Sequence, residues 1–161
     1  MTRMLLGIFG AVVLMVVAFA VLGWWSQRAA PAALGVVGGR LAPCDAAPHC
    51  VCSDGDPNDA GHYVPPIDLP AGDDAQRWRA LREAVASQGG SVLRQDDAYM
   101  HASFESALFG FVDDVEFRLE GSRLAVRSSS RVGYSDLGAN RQRVEALRAA
   151  LTAQPGAAQP R

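Results

Sequence analysis

An uncharged apolar run near the N-terminus, residues 4–25, constrains this chain more than any other feature of its sequence. A helix of about 22 residues, rising 1.5 Å per residue, crosses a hydrocarbon core of roughly 30 Å. Residues 1–26 are therefore expected to form a transmembrane anchor or a signal segment. Arg3 precedes the run and Arg28 and Arg40 follow it, so the positive charges do not decide its orientation in the membrane.

Two features bear on whether this segment remains attached to the mature protein. Ala18-Phe19-Ala20 fits the small-x-small cleavage site of a secretory signal peptide. The apolar run continues past this site to Trp24 and Trp25, where an interfacial aromatic belt belongs. We expect an uncleaved single-pass anchor in the cell membrane, with the C-terminal domain on the exported (periplasmic) side, and export after signal cleavage is the alternative. Residues 27–42, rich in Ala, Gly and Pro, are expected to form a flexible connector.

Three cysteines, Cys44, Cys50 and Cys52, lie close together after the connector. They can form one disulfide with a thiol left over, remain three free thiols, or bind a metal together with His49 and His62. Export favours a disulfide, and the proline-flanked gap between Cys44 and Cys50 is short enough to be bridged, so this is the expected pair. The sequence has no C-x-x-C zinc knuckle and no C-x-x-C-H haem site, so neither a metal nor a cofactor is predicted.

The sequence after residue 72 alternates between helical and strand patterns. Asp73 and Gln76 have the spacing of a capping box, at the start of an amphipathic helix that ends at Gly89. Strand patterns follow at residues 91–95, 99–106, 115–120 and 123–132, and a second helix is expected over residues 138–153. This order predicts an α+β fold over residues 43–153, a small two-layer domain whose antiparallel sheet of about four strands carries two helices on one face. Residues 154–161 are expected to be a disordered tail.

The strands carry many charged side chains on one face of the predicted sheet. Alternation places Arg118, Arg123, Arg127 and Arg131 on this face, where glutamates of the neighbouring strand can pair with them. The pattern predicts that the face is exposed to water, and His101 is interpreted as an ordinary residue of it. Asp113 and Asp114 alternate sides of a strand and cannot both face one substrate, which disfavours a hydrolase with paired carboxylates.

Three stretches of the sequence carry a specific pattern. They are Arg40-Leu-Ala-Pro-Cys44 with Pro48-His49-Cys50-Val51, Phe111-Val-Asp-Asp-Val-Glu-Phe117, and the run from Val126 to Arg148 that contains Arg-Ser-Ser-Ser-Arg-Val-Gly-Tyr-Ser-Asp-Leu-Gly-Ala-Asn-Arg. Together they resemble the bacterial domain of unknown function 1499 family over roughly residues 39–151. Cys44 and Cys50 match the family's cysteine pair, whereas His49 and Cys52 stand where the family has Asn and Ser. That family has no assigned activity, so the resemblance implies domain boundaries and leaves the function open.

Residues 124–143 concentrate more hydrogen-bonding side chains than any other stretch, in a predicted strand, turn and helix start. The turn is placed like a nucleophile elbow, but Leu137 stands where the G-x-S-x-G motif requires glycine, and the catalytic residues are unknown. Arginines beside the free N–H groups of a helix start suit an anion. The predicted ligand-binding residues are Arg127, Ser129, Arg131, Tyr134, Ser135, Asn140 and Arg141.

A purely structural role for the same stretch is the competing interpretation. Asp136 would cap the last helix, and Tyr134 and Asn140 would hold the turn in place. The arginines would then pair with glutamates across the sheet instead of binding a ligand.

Charge and location limit the function classes. Residues 44–74 carry seven acids and no base, whereas residues 118–161 carry eight arginines and three acids. Nucleic-acid binding is not expected, because bases and acids are interleaved and export separates the domain from nucleic acid. We predict a membrane-tethered binding or interaction module of the cell envelope, whose partner is an anionic small molecule, a lipid headgroup or an envelope protein. The alternative is an envelope enzyme that uses the Arg/Ser/Tyr cluster, and a concave pocket over this stretch rather than an exposed apolar patch would favour it.

Overall fold

A computed structural model describes residues 2–31, 33–69 and 71–153 of the chain. In chain order, the elements are α1 (Thr2–Arg28), β1 (Val36–Val37), β2 (Arg40–Leu41), β3 (Cys50–Cys52), β4 (Ile67–Asp68), α2 (Asp74–Ser87), β5 (Ser91–Gln95), β6 (Tyr99–Glu105), β7 (Val112–Glu120), β8 (Arg123–Ser130) and α3 (Ala139–Thr152). The predicted α+β class is confirmed: an N-terminal apolar helix precedes an antiparallel sheet with two further helices. The predicted tail, residues 154–161, lies outside the described residues.

The described strands β3–β8 form one antiparallel sheet of six strands, not about four as predicted. The order is β3, β8, β7, β6, β5, and β4 also pairs with β8. Strands β5–β8 are the four predicted ones, joined in sequence by tight connections. The additional strands β3 and β4 have three and two residues and pair with the outer edge of β8. Strands this short show no alternating pattern in the sequence, which is why the sheet is larger than expected.

Helices α2 and α3 pack on one face of the sheet and bury the main core. The helical spacing of Trp78, Leu81 and Val85 turns these side chains toward the sheet. The predicted capping box fixes where α2 begins: the Gln76 amide donates to Asp73 Oδ1 at 2.8 Å, and Gln76 Oε1 accepts from the Asp73 amide at 3.1 Å. The largest fully buried core side chains include Ile67, Leu81, Met100, Phe117, Leu124, Leu147 and Leu151.

The opposite face of the sheet is buried, so the expectation of a water-exposed face is wrong. Glu116 is 0% exposed and Arg127 only 3%, and His101 and Asp114 are buried as well. The segment that precedes the sheet in the chain covers this face. The Gly35 amide donates to Glu116, and strand β2 packs against β7 and β8. The described residues of the predicted connector therefore lie over this face, where they form the β1–β2 hairpin.

The last turns of α1 rest directly on the domain. Ser26 is fully buried, and its hydroxyl accepts from the Val112 amide at 2.9 Å. At Gly23 a Cβ atom would lie 1.6 Å from the Phe109 carbonyl oxygen, so only glycine permits this approach. Gln27 donates to Glu105 at 2.9 Å. Within the described residues α1 is long and apolar enough to cross a membrane, either as an anchor or as a signal sequence.

The predicted disulfide between Cys44 and Cys50 is confirmed, with a Cα–Cα distance of 5.6 Å. Cys52 is outside the disulfide and buried, and burial raises the pKa of its thiol. The bridge closes a short loop, so the entropy model assigns it a modest stabilisation of about 2 kcal/mol.

We expect the Cys44→Ser, Cys50→Ser double variant to lower the free energy of unfolding by about 2 kcal/mol, because the unfolded chain regains the freedom of that loop. Urea unfolding of the full chain in detergent, followed by near-UV circular dichroism, measures this loss. A reducing agent should reproduce it in the wild type and have no effect on the variant. An unchanged stability of the variant would contradict this account.

Candidate functional site

The residues predicted to bind a ligand lie in three different environments. Arg127, Ser129 and Arg131 are on the face of the sheet that the connector covers. Tyr134 and Ser135 lie exposed in the loop after β8. Asn140 and Arg141 belong to the first turn of α3 and hold other parts of the chain, as described below. The structure thus does not gather all seven side chains on one surface, and their role in ligand binding stays a prediction.

Arg131 forms a two-point ion pair with Asp114. Arg131 Nε and Nη2 lie 2.7 and 2.9 Å from the two carboxylate oxygens, and His101 Nε2 lies 2.7 Å from Oδ1. Burial alone would raise the pKa of Asp114, but the hydrogen bonds from Arg131 and His101 outweigh it and hold this pKa below its usual range. The hydrogen bond with Asp114 raises the pKa of Arg131. The cluster also reaches the residue that follows α1, since Arg131 Nη1 donates to the Ala29 carbonyl at 3.4 Å.

Glu116 is the centre of a second buried cluster on the same face. Its Oε2 accepts from Arg127 Nη1 at 3.0 Å, and its Oε1 accepts from the Tyr99 hydroxyl at 2.7 Å. Burial, with the hydrogen bond to Glu116, raises the pKa of Tyr99. Arg127 is therefore used to neutralise a fully buried carboxylate.

Asn140 joins three elements from a fully buried position. Its Nδ2 lies 3.0 Å from both the His49 carbonyl and Ser130 Oγ, and its Oδ1 accepts from Ser128 Oγ at 2.5 Å. Arg143 Nη1 donates to the same Oδ1 at 2.8 Å. Asn140 thereby fixes the start of α3 to both β8 and the chain before β3.

Gly138 is the N-cap residue of α3, and Asp136, two residues earlier, supplies the carboxylate that binds the amides at the helix start. Its carboxylate accepts from the amides of Gly138 and Asn140 at 2.9 and 2.8 Å. Burial alone would raise the pKa of Asp136, but these backbone hydrogen bonds lower it. Arg141 also has a structural partner, because its guanidinium donates to the carbonyls of the loop around Tyr63.

Asp113 and Asp114 point to opposite faces of β7, as predicted. Asp113 accepts from Arg143 Nη2 at 2.6 Å on the side of α3, whereas Asp114 belongs to the covered face. Asp113 and Asp114 therefore cannot act together on one substrate.

A groove with a volume of about 490 Å³ lies between α1 and two loops of the domain. The first loop, residues 106–111, connects β6 to β7, and the second, residues 131–138, connects β8 to α3. We call them the phenylalanine loop and the tyrosine loop. The groove is lined by Phe19, Leu22, Ser106, Leu108, Phe109, Phe111, Asp113, Ser130, Val132, Gly133, Ser135, Asp136, Leu137 and Ala139.

The groove is bordered by large apolar side chains that have little contact with the rest of the domain. Leu108 is 80% exposed and Leu137 is 91% exposed. Leu137 also has a φ of +56°, a left-handed conformation that costs a leucine about 1–2 kcal/mol. Leu137 thus combines backbone strain with almost complete exposure of its side chain.

Two parts of this arrangement differ from the prediction or are absent from it. His101 is bonded to Asp114 in a buried cluster and is not an ordinary exposed residue. The phenylalanine loop was not singled out, although Leu108, Phe109 and Phe111 interrupt strand alternation where a polar turn is usual. That run of apolar residues was the available signal.

The family model described as "Protein of unknown function (DUF1499)" matches residues 40–151, which is more than half of the chain. Comparison with curated proteins finds no match. The matched region runs from β2 to the last turn of α3 and therefore contains the whole six-stranded sheet, but not the apolar helix α1 that forms one wall of the groove.

Proposed function

The chain belongs to the DUF1499 family of proteins of unknown function, and we propose that it is a membrane-tethered binding module in which the end of the domain that carries the groove lies in the bilayer interface. The observation that carries this proposal is the packing of α1 against the phenylalanine loop. Through it, the orientation of a membrane helix fixes the orientation of the domain.

The contact between α1 and the domain is close and includes backbone groups of both. Gly23 allows backbone-to-backbone approach, and Ser26 bonds to both polar groups of the Val112 backbone. A domain on a flexible tether could turn any surface to the bilayer. Here the phenylalanine loop must stay beside the helix wherever the helix is inserted.

The depth of the phenylalanine loop in the membrane follows from the geometry of α1. The rings of Phe19 and Phe109 are 5.3 Å apart, and Phe19 precedes Trp24 by five residues, or about 7.5 Å along the axis. If Trp24 and Trp25 mark the membrane interface, Phe109 lies below them, at the boundary of headgroups and acyl chains where interfacial segments insert. Exposed Leu108 and Leu137 would then be covered by lipid.

Export to the periplasmic side is part of the proposal. The Cys44–Cys50 disulfide supports it, because such bridges persist in oxidising compartments. The predicted anionic-ligand surface has less support, since Arg127 and Arg131 already neutralise Glu116 and Asp114.

An enzyme remains the second candidate, because the groove is concave and includes Ser135 and Asp136. None of the described residues that line it is a histidine, lysine or arginine, so a serine nucleophile would lack its usual base there. Binding therefore fits this groove better than catalysis.

An environment-sensitive fluorophore at Leu108→Cys, in the full chain with Cys52→Ala and reconstituted in liposomes, tests the proposal. We expect blue-shifted emission and strong quenching by lipids that carry a quencher on the acyl chain. Ser122→Cys is the matched control, because it lies exposed at the opposite end of the nine-residue strand β7, roughly 30 Å away. Emission at Leu108→Cys that matches the water-exposed control would refute contact with the bilayer.

A further inference from the structure

The groove has the dimensions and the walls of a site for one acyl chain of a lipid. Its volume falls within the range of about 300–1,000 Å³ that is usual for small-molecule sites. Three aromatic rings form its floor, since the rings of Phe19, Phe109 and Phe111 lie 5.3 to 6.4 Å from one another. An acyl chain is the ligand part that matches such walls.

Access to the groove comes directly from the bilayer. Phe19 and Leu22, which line it, belong to the helix that would cross the membrane. A lipid beside α1 therefore reaches the groove without its chain passing through water. This continuity with the membrane helix favours a membrane lipid over a soluble metabolite or a protein segment.

The polar lining indicates which headgroup fits. Apart from hydroxyls, it consists of the carboxylates of Asp113 and Asp136, and no cation is found among the described lining residues. Arg143 neutralises Asp113 from outside the groove at 2.6 Å, whereas Asp136 has only backbone and amide donors. One negative charge is left to face the ligand, and it complements an ammonium group and repels a headgroup that is purely anionic.

We infer that the groove binds a membrane lipid with an amine-bearing headgroup, its acyl chain lying on Phe19, Phe109 and Phe111 and its amine directed to Asp136. This inference rests on the proposed position of the domain at the bilayer. It differs from the anionic ligand predicted from the arginine-rich sequence, because those arginines lie outside the groove.

Photo-crosslinking of the full chain in liposomes tests the inference. Two lipid probes share one diazirine-bearing acyl chain and differ in the headgroup, which is ethanolamine or glycerol. We expect the ethanolamine probe to label residues 106–111 and 132–139. The glycerol probe should label the same residues at least about threefold more weakly. Ser135→Trp, which fills the groove, should reduce this labelling, and Ser122→Trp at the far end should not.

Each result has one meaning. Equal labelling by both probes would overturn the headgroup assignment, and labelling that Ser135→Trp leaves unchanged would overturn the groove as the binding site. The probes could label only the outer face of α1 while the fluorophore at Leu108→Cys is still quenched by lipid. This result would refute the lipid site in the groove and would still support contact between the domain and the bilayer. A water-exposed Leu108→Cys would instead refute the proposed function.

Discussion

Replacing Arg127 with alanine is expected to lower the free energy of unfolding by about 3–5 kcal/mol. Arg127 is the cation bonded to Glu116, and neither side chain is accessible to water. Among the described residues, its removal leaves a buried carboxylate with only the Tyr99 hydroxyl and the Gly35 amide as donors. The loss is a large part of the roughly 5–15 kcal/mol that stabilises an ordinary domain. Urea unfolding of the full chain in detergent measures it.

The matched control is Arg123→Ala on the same strand. Arg123 pairs with Asp68 at 2.9 Å, but more than half of each side chain is exposed, so we expect a loss below about 1 kcal/mol. Replacing Glu116 with leucine in the Arg127→Ala background should restore part of the stability, because it removes the unpaired charge. A loss at Arg127 as small as that at Arg123 would show that water reaches this face.

The contrast between these arginines shows what strand alternation can and cannot predict. Alternation placed Arg123 and Arg127 on one face, and both lie on β8 with that phase. It carries no information about which chain segment covers the face. The cover comes from the region of Gly35, about 80 residues earlier, through a single backbone amide and a two-strand hairpin. Hence the arrangement of the polar side chains was predictable and their burial was not.

The candidate site also has parts that local sequence patterns predict and parts that they do not. The cap formed by Asp136 was predictable, because it depends on residues two and four positions apart. The disulfide was also predictable from a local spacing. The groove depends on Phe19 meeting Phe109, 90 positions later, and on Gly23 allowing that approach. No local pattern encodes such a contact, so the predicted site includes Tyr134 and Ser135 of the tyrosine loop but no residue of α1 or of the phenylalanine loop.

The second large effect is expected at Asn140, whose replacement by alanine should cost about 2–4 kcal/mol of stability. The substitution leaves the Ser128 hydroxyl without its acceptor and Ser130 Oγ without its amide donor, whereas the buried His49 carbonyl keeps the Ser130 amide as its one remaining donor among the described residues. Each unsatisfied buried group costs about 1–3 kcal/mol. The chain's other asparagine, Asn58, is exposed in a turn, so Asn58→Ala is the matched control and should change stability by less than about 0.5 kcal/mol.

Asn140 also separates the two interpretations of the stretch that contains it. If it holds α3 to the sheet, as its contacts indicate, Asn140→Ala should weaken unfolding stability and labelling by the lipid probe together, because the tyrosine loop leads directly into α3. If it is a ligand-binding residue, the variant should retain wild-type stability in urea and lose binding alone. Measuring both quantities on the same preparation decides between a residue that builds the groove and one that contacts its ligand.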